Sequence, residues 1–387
     1  MLVTLHFVTM NVNTPSAMFP TFEILLVLIV SATLAPLSRC TKWWIRDLDF
    51  PRLQLAILSL AVLVAQCILL DWGDHLFHLL LVVNVACLAY QTWWIVPYTK
   101  AFPHEVKVSA NASPDRQIRI LTANVLTPNR NVDGLIALIR EHQPDIFVTL
   151  ETDSWWQERL DVLDPEYPFS LKCPLDNLYG MHVYSRLPLE DSEIQFLVED
   201  DIPSMHTLVT LKSGHQVRMH FLHPTPPSPT EHEESTQRDA ELLVVAKSVA
   251  EVDTPVIVAG DLNDVAWSTT TRLFRKISGL LDPRIGRGMF NTFHASFWFA
   301  RWPLDHLFHS EHFTLSFIKR LPSFGSDHFP MLVELTYDRA NGMEQEGLEA
   351  DEEDHELAEE KIAAEEVEVD DVHEPEPQGV PARGITT

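Results

Sequence analysis

Three apolar runs occupy the first hundred residues and limit what this part of the chain can become: Ile24 to Leu37, Leu53 to Leu70, and Leu76 to Val96. The second and third are about 20 residues long with almost no charge, the length of α-helix that crosses the hydrocarbon core of a bilayer. They are predicted to be transmembrane helices. The first run is shorter and has Glu23 at its edge, which leaves open a third span, a re-entrant piece or part of an overlong start. No basic residue precedes it, which argues against a cleaved signal peptide. Trp43, Trp44, Trp72, Trp93 and Trp94 stand near the run ends, as interfacial aromatics do. A soluble apolar bundle is the alternative, but its helices would show polar faces.

Arg39, Lys42, Arg46 and Arg52 lie between the first two runs, whereas the preceding segment and the short "DWGDH" between runs two and three carry no Lys or Arg. The positive-inside rule places the first loop in the cytoplasm. Two further crossings return the chain to that side, so the polar remainder of this multi-pass membrane protein is predicted to be cytoplasmic. Residues 1–100 are thus read as a membrane region with two or three spans, 101–115 as a linker, 116–340 as a folded domain, and 341–387 as a tail. The net charge of −27 is divided unevenly: residues 108–343 carry 20 basic against 32 acidic groups, and residues 344–387 carry 2 against 17. The tail is acidic, poor in aromatics, and expected to remain disordered. Cys40, Cys67 and Cys87 lie in or beside apolar runs, which leaves Cys173 alone in the polar part. No internal disulfide there and no zinc spacing follow from that.

Between residues 116 and 337 strand-like and helix-like segments alternate. "QIRILTANVL" and "DIFVTLE" read as strands around a helix marked by Val132, Leu135, Ile136 and Ile139. Further strands are predicted at "MHVYS", "HTLVTL", "QVRMHFL", "PVIVAG", "LDHLFH", "FTLSFI" and "MLVELT", with a helix over Thr236 to Val252. Polar residues recur where these strands end: Asn124, Glu151, His223, Asp261 with Asn263, Asp305, and Asp327 with His328. Each alone fits ordinary turn chemistry. Together they stand where ligands collect in α/β folds.

The ordered set "TANV", "LE", "H-P", "GDLND", "LDHLF" and "GSDHFP" resembles the endonuclease/exonuclease/phosphatase (DNase I-like) superfamily over residues 116 to 337. Its members include apurinic endonucleases, inositol polyphosphate phosphatases and bacterial sphingomyelinases. The resemblance implies a four-layered α/β sandwich behind the transmembrane helices, a divalent cation (Mg²⁺ or Mn²⁺), and hydrolysis of a phosphoester. It assigns Glu151 to the cation, with Asn124 helping to hold that cation or a phosphate oxygen and Asp327 completing the metal or water network. Asp261 would orient and deprotonate the attacking water, and Asn263 would hold a phosphate oxygen. Separation by two residues in an extended segment would put both on one side of the chain. His328 would donate to the phosphoryl oxygen with Asp305 behind it, and His223 would contact the phosphate or leaving group. The family's usual Gln before the metal Glu is Leu150 here, and the usual aromatic in its "GDFN" is Leu262. His182 and Tyr184 are read as structural.

Arg284, Arg287 and Arg301 precede Asp305 and are candidates for substrate phosphate contacts, with solvated surface positions as the alternative. Duplex DNA is bound mainly through Lys and Arg, so a domain with excess acid does not favour a specialised nuclease. A bilayer tether suggests a lipid-linked or small phosphoester instead. A nuclease and a non-catalytic membrane scaffold remain alternatives. No protein partner is legible.

Overall fold

A computed structural model describes residues 15–110, 113–250 and 253–376. The chain opens with α1 (Pro15–Leu34), the short α2 (Trp43–Arg46), α3 (Arg52–Leu69) and α4 (His75–Ile95). It divides into two compact units. One holds the chain up to Cys40 with Pro51–Ile95; the other holds Thr41–Phe50, which includes α2, with everything from Val96 onward.

Among the described residues three segments are long and apolar enough to cross a membrane: Phe19–Leu37 and Arg52–Leu69 of the first unit, and His75–Tyr98, whose last three residues are counted with the second. The first run therefore qualifies beside the other two. Large apolar side chains such as Ile24, Ile68 and Trp93 face outward, while Thr33, Ser59, Gln66, Asn84 and Gln91 are buried. The amide of Asn84 donates to Gln66 Oε1 at 3.2 Å, and that of Gln91 to Thr33 Oγ1 at 3.0 Å, so α4 is clasped to both α3 and α1. Polar contacts inside and apolar side chains outside invert the pattern of a water-soluble bundle and suit a hydrocarbon solvent.

Among the described residues the second unit has eleven strands: β1 (Gln117–Asn124), β2 (Ile146–Leu150), β3 (Phe169–Cys173), β4 (Met181–Ser185), β5 (Leu189–Gln195), β6 (Ser204–Thr210), β7 (Gln216–Leu222), β8 (Val256–Asp261), β9 (Asp305–His309), β10 (Phe313–Arg320) and β11 (Met331–Tyr337). They form a six-stranded sheet, β10-β11-β1-β2-β4-β3, and a five-stranded sheet, β5-β6-β7-β8-β9. The helices are α5 (Val132–His142), α6 (Ser154–Leu160), α7 (Thr236–Ser248), α8 (Thr269–Ser278), α9 (Arg339–Gly342) and α10 (Glu352–Ala363).

Alternation along each strand sorts the layers. Ile118 and Ile120 of β1 join Ile257 and Ala259 of β8 in the core between the sheets. Leu121 and Ala123 of β1 turn the other way, onto Leu135 of α5 and Trp156 of α6. Val256 and Val258 of β8 pack with Leu242 and Val245 of α7 and Phe274 of α8. Helix, sheet, sheet, helix is the four-layered sandwich expected. In each sheet one pair runs parallel, β1 with β2 and β7 with β8. The carboxyl ends of these four strands carry Asn124, Glu151, His223 and Asp261.

Two segments differ from expectation. The acidic tail is not free: α10 starts with a capping box at Asp351, buries Ala358 and Ile362 against α7 and α8, and is followed by buried Val367 and Val372. Its carboxylates find cations on the domain, with Glu359 on Lys247 at 3.0 Å and Asp354 on Lys276. Composition alone misses this because four apolar residues suffice once a groove between two helices receives them. Residues 377–387 of the tail lie outside the described residues. The expected linker also packs: Val106 is fully buried in the inter-sheet core, and both Glu105 oxygens accept from Arg275 Nη2 at 2.6 Å.

Glu241 of α7 is 3% exposed, and its Oε1 has no hydrogen-bond partner. Burial, aided by the Glu199 charge, pushes its carboxyl up from 4.5 to about 8. Between those values the folded state keeps a proton that the unfolded chain has released, so stability falls as pH rises through that window. Glu241→Gln is expected to remove this slope. Its thermal midpoint should pull ahead of wild type progressively from pH 5 to pH 8; a gap that does not change with pH would contradict the assignment.

Candidate active site

Asn124 ends β1 and Glu151 directly follows β2, at the same edge of the six-stranded sheet. His223 follows β7 and Asp261 ends β8, at the matching edge of the five-stranded sheet. Asp305 opens β9 opposite Asp261 in the antiparallel ladder. His328, just before β11, reaches across from the other sheet. Its Nδ1 lies 2.8 Å from Asp305 Oδ2 and 3.4 Å from Asp261 Oδ2. All three groups are buried, so burial alone would keep the imidazole neutral; the Asp305 and Asp261 charges outweigh it and raise His328 to about 10. With a proton on Nδ1 facing Asp305, Nε2 is the nitrogen left to face a substrate. Asp261 is itself pushed up by burial, against the pull of His328.

Asn124 joins the two halves. Its Nδ2 donates to Glu151 Oε1 at 2.7 Å and to Asp261 Oδ2 at 3.2 Å, while its Oδ1 accepts from Leu126 N at 3.0 Å. The side chain is therefore engaged at both ends, which suits positioning of the carboxylates. Glu151 sits at φ 61°, a left-handed conformation that a side chain rarely adopts, and its carbonyl accepts from Thr127 Oγ1 at 2.6 Å. Its Oε2 is buried without a partner, and burial raises its carboxyl to about 7. An orphaned carboxylate oxygen beside two further acids is the donor that a hard cation needs. The trio Asp261, Asp305 and His328 is also close enough to hold an ion. There, however, His328 Nδ1 already donates to Asp305, so Glu151 is the better fit.

Asn263 does not follow Asp261 in an extended segment as expected. It turns into the left-handed region at φ 51°, where Asn is tolerated better than most residues. Its backbone N–H donates to Asp261 Oδ1 at 3.0 Å and its side-chain amide to Pro224 O at 2.9 Å, which leaves one amide hydrogen for a ligand. His223 is buried against the Tyr179 ring (centroids 5.2 Å apart), its Nδ1 is unpartnered, and burial lowers it to about 4. It is a neutral imidazole at physiological pH. Asp327 is half-buried beside His328, with Ser326 Oγ 3.4 Å from its Oδ1. Leu150 and Leu262 are fully buried, as apolar replacements should be.

The arginines separate. Arg284 is 2% exposed and committed to Asp282 through Nε (2.9 Å) and Nη2 (2.8 Å), with His306 also on Nη2. It is a buried structural ion pair, and its nearest approach to the site is the Asp305 carbonyl at 3.4 Å. Arg287 donates to the carbonyls of Val106 (2.5 Å) and Pro283 (3.2 Å). Neither is placed to meet a phosphate. Arg301 remains beside the site, its guanidinium 5.0 Å from the Phe329 ring and its Nη2 on Ala295 O at 2.9 Å. His182 is fully buried and Tyr184 stacks on Phe147, so both are structural.

Several contributors escaped the sequence reading. Ser326 Oγ donates to Asn124 O at 2.8 Å and accepts from His328 N at 3.0 Å, tying the "GSDHFP" loop to β1. The Phe293 ring packs 4.9 Å from that of His328. Only the serine had a signal, its place inside a quoted motif.

A model described as the Endonuclease/Exonuclease/phosphatase family matches residues 121–328, from β1 to the histidine of the site. The chain belongs to this family. Members of the family are hydrolases that act on phosphoesters. No curated protein sequence matches significantly. Among solved structures, the chain is similar to D. rerio TDP2 complexed with single strand DNA product, at 17% identity and TM-score 0.48, over 57% of this chain and 100% of that one. It is also similar to the human Nocturnin catalytic domain with bound sulfate anion, at 17% and 0.48 over 58% and 96%. A third is an endonuclease/exonuclease/phosphatase from Beutenbergia cavernae, at 16% and 0.46 over 58% and 72%.

β7 and β8 approach closely beside Asp261, where a Cβ on Gly260 would lie 1.9 Å from Leu222 O. Gly260→Ala should force the strands apart beside Asp261 and cost about 2 kcal/mol or more. A melting temperature equal to wild type would show that the edge yields instead.

Proposed function

We propose that this family member is a divalent-metal-dependent phosphoesterase anchored in a membrane, acting on a lipid-linked or small-molecule phosphate ester. The observation that carries the reading is the buried set in which His328 Nδ1 lies between Asp261 and Asp305 while Glu151 Oε2 lacks a partner. Mg²⁺ or Mn²⁺ held by Glu151, with Asp327 nearby, would neutralise charge on the phosphoryl oxygens. Asp261 orients the attacking water and takes its proton. His328 donates from Nε2 to a phosphoryl oxygen, where charge concentrates in the transition state. Asn263 offers its remaining amide hydrogen to a second oxygen. Neutral His223 is available to the leaving group.

A lipid-linked ester is favoured by what surrounds the site. Ala295 N donates to Asp327 O at 2.6 Å, and the loop that follows exposes Phe297 (48%) and Trp298 (82%). Aromatic side chains of this kind accumulate at membrane interfaces. The short "DWGDH" between α3 and α4 would make them one hairpin whose outer ends lie on a single side of the bilayer. The basic residues between α1 and α3 favour the cytoplasm as that side.

The full chain should hydrolyse bis-nitrophenyl phosphate or nitrophenyl phosphate with Mg²⁺ or Mn²⁺, and chelation should abolish the rate. Asp261→Asn and His328→Ala are each expected to lose about 100-fold or more. Rates equal to wild type in both variants would refute the reading and favour a scaffold. Faster turnover of single-stranded DNA than of phospholipid vesicles would turn it toward a nuclease.

A further inference from the structure

Behind Asn263 lies a set of buried charges that the chemistry above does not use. Arg238 of α7 is 2% exposed, and its Nη1 donates to the Asn263 carbonyl at 3.0 Å. The same nitrogen lies 3.6 Å from Asp264 Oδ1, while Nε and Nη2 donate to Asp239 Oδ1 at 3.1 and 2.9 Å. Asp264 is fixed in turn by Ser268 Oγ at 2.5 Å and Val265 N at 2.9 Å. Asp49, 2% exposed, adds a third carboxylate whose charge acts on Arg238. One guanidinium cannot balance both Asp239 and Asp264, the two buried carboxylates it touches.

The second cation comes from the C-terminal helix. Lys361 of α10 places Nζ 2.5 Å from Asp239 Oδ2, on the oxygen that Arg238 leaves free. Burial would push the Asp239 carboxyl up; Lys361 and Arg238 together hold it well below the usual range. Without Lys361, Asp239 would compete with Asn263 O and Asp264 for the single guanidinium. The Asn263 turn would lose its anchor, and Asn263 N is what fixes Asp261 Oδ1 at 3.0 Å.

We infer that Lys361 is a positioning residue for the reaction: through Asp239 and Arg238 it fixes the Asn263 turn and with it the carboxylate of Asp261. The inference rests on the hydrolase reading for its kinetic consequence, but not for its structural one. The helix that carries Lys361 begins 24 residues beyond the last residue of the family match, so the tail supplies part of the site's scaffold.

The test compares Lys361→Met, Lys361→Arg and Lys276→Met in the full chain. Lys276 also anchors α10, through Asp354, but lies outside the cluster. Lys361→Met is expected to lower kcat for bis-nitrophenyl phosphate about tenfold or more with little change in KM, because misplacement of reacting groups acts on the chemical step. Lys361→Arg should restore it, and Lys276→Met should leave it unchanged. Hydrogen exchange supplies a readout free of activity: backbone amides of 262–265 should exchange faster in Lys361→Met alone. If wild type proves inactive while that exchange pattern holds, the hydrolase reading fails and the positioning role stands. Unchanged exchange in Lys361→Met, or equal effects from Lys276→Met, would overturn the role.

Discussion

Asp261 and Asp305 face each other across an antiparallel ladder at a buried sheet edge, an arrangement that like charges resist. What makes it tolerable is the His328 imidazolium, 2.8 Å from one and 3.4 Å from the other. That cation comes from the six-stranded sheet and the two acids from the five-stranded one. The charge balance of the site is therefore also a tie between the sheets. Asn124 makes the same crossing in reverse, from the end of β1 to Asp261. Since carboxyl ends of parallel strands leave backbone and side chains free to converge, both ties form where ligands collect in such folds.

The sequence disclosed most of this because buried strands have few alternatives. β1, β2, β4 and β6 to β11 each stand as short apolar or alternating runs between turn residues, and polar residues at their ends point to the site. β3 and β5 escaped. Both are edge strands, and β5, "LEDSEIQ", is half acidic because an edge has no neighbour to bury against. The short α6 and α8 were equally silent.

Within the site, identity was legible and orientation was not. Asp261, Asp305 and His328 meet as the motif order implied, yet nothing in "GDLND" says that Asn263 turns left-handed and is fastened from behind by Arg238. Arg284 illustrates the same gap. A guanidinium near a motif reads as a phosphate ligand until Asp282, two residues earlier, is seen to consume it. Pairing across long sequence separation, such as Lys361 with Asp239, leaves no local pattern to read.

The acidic composition takes on a different meaning in three dimensions. Four tail carboxylates meet Lys107, Lys247, Lys276 and Arg218 of the domain, so part of the acid serves to fasten the tail to it. Arg301 and Arg320 are treated differently. Their guanidinium groups lie 5.0 and 4.3 Å from the Phe329 ring, next in sequence to His328, and among the described residues neither makes an ion pair. Two cations on one aromatic ring repel each other and are held by its face. Two guanidinium groups with no acidic partner among the described residues thus stand beside the site of a chain whose net charge is −27. Attraction of a phosphate depends on that local field rather than on the sum, and fields from exposed charges beyond about 8–10 Å are screened at ordinary salt. A small or membrane-borne phosphoester, as proposed, would draw on these nearby cations, whereas a long duplex would also meet the acidic surroundings.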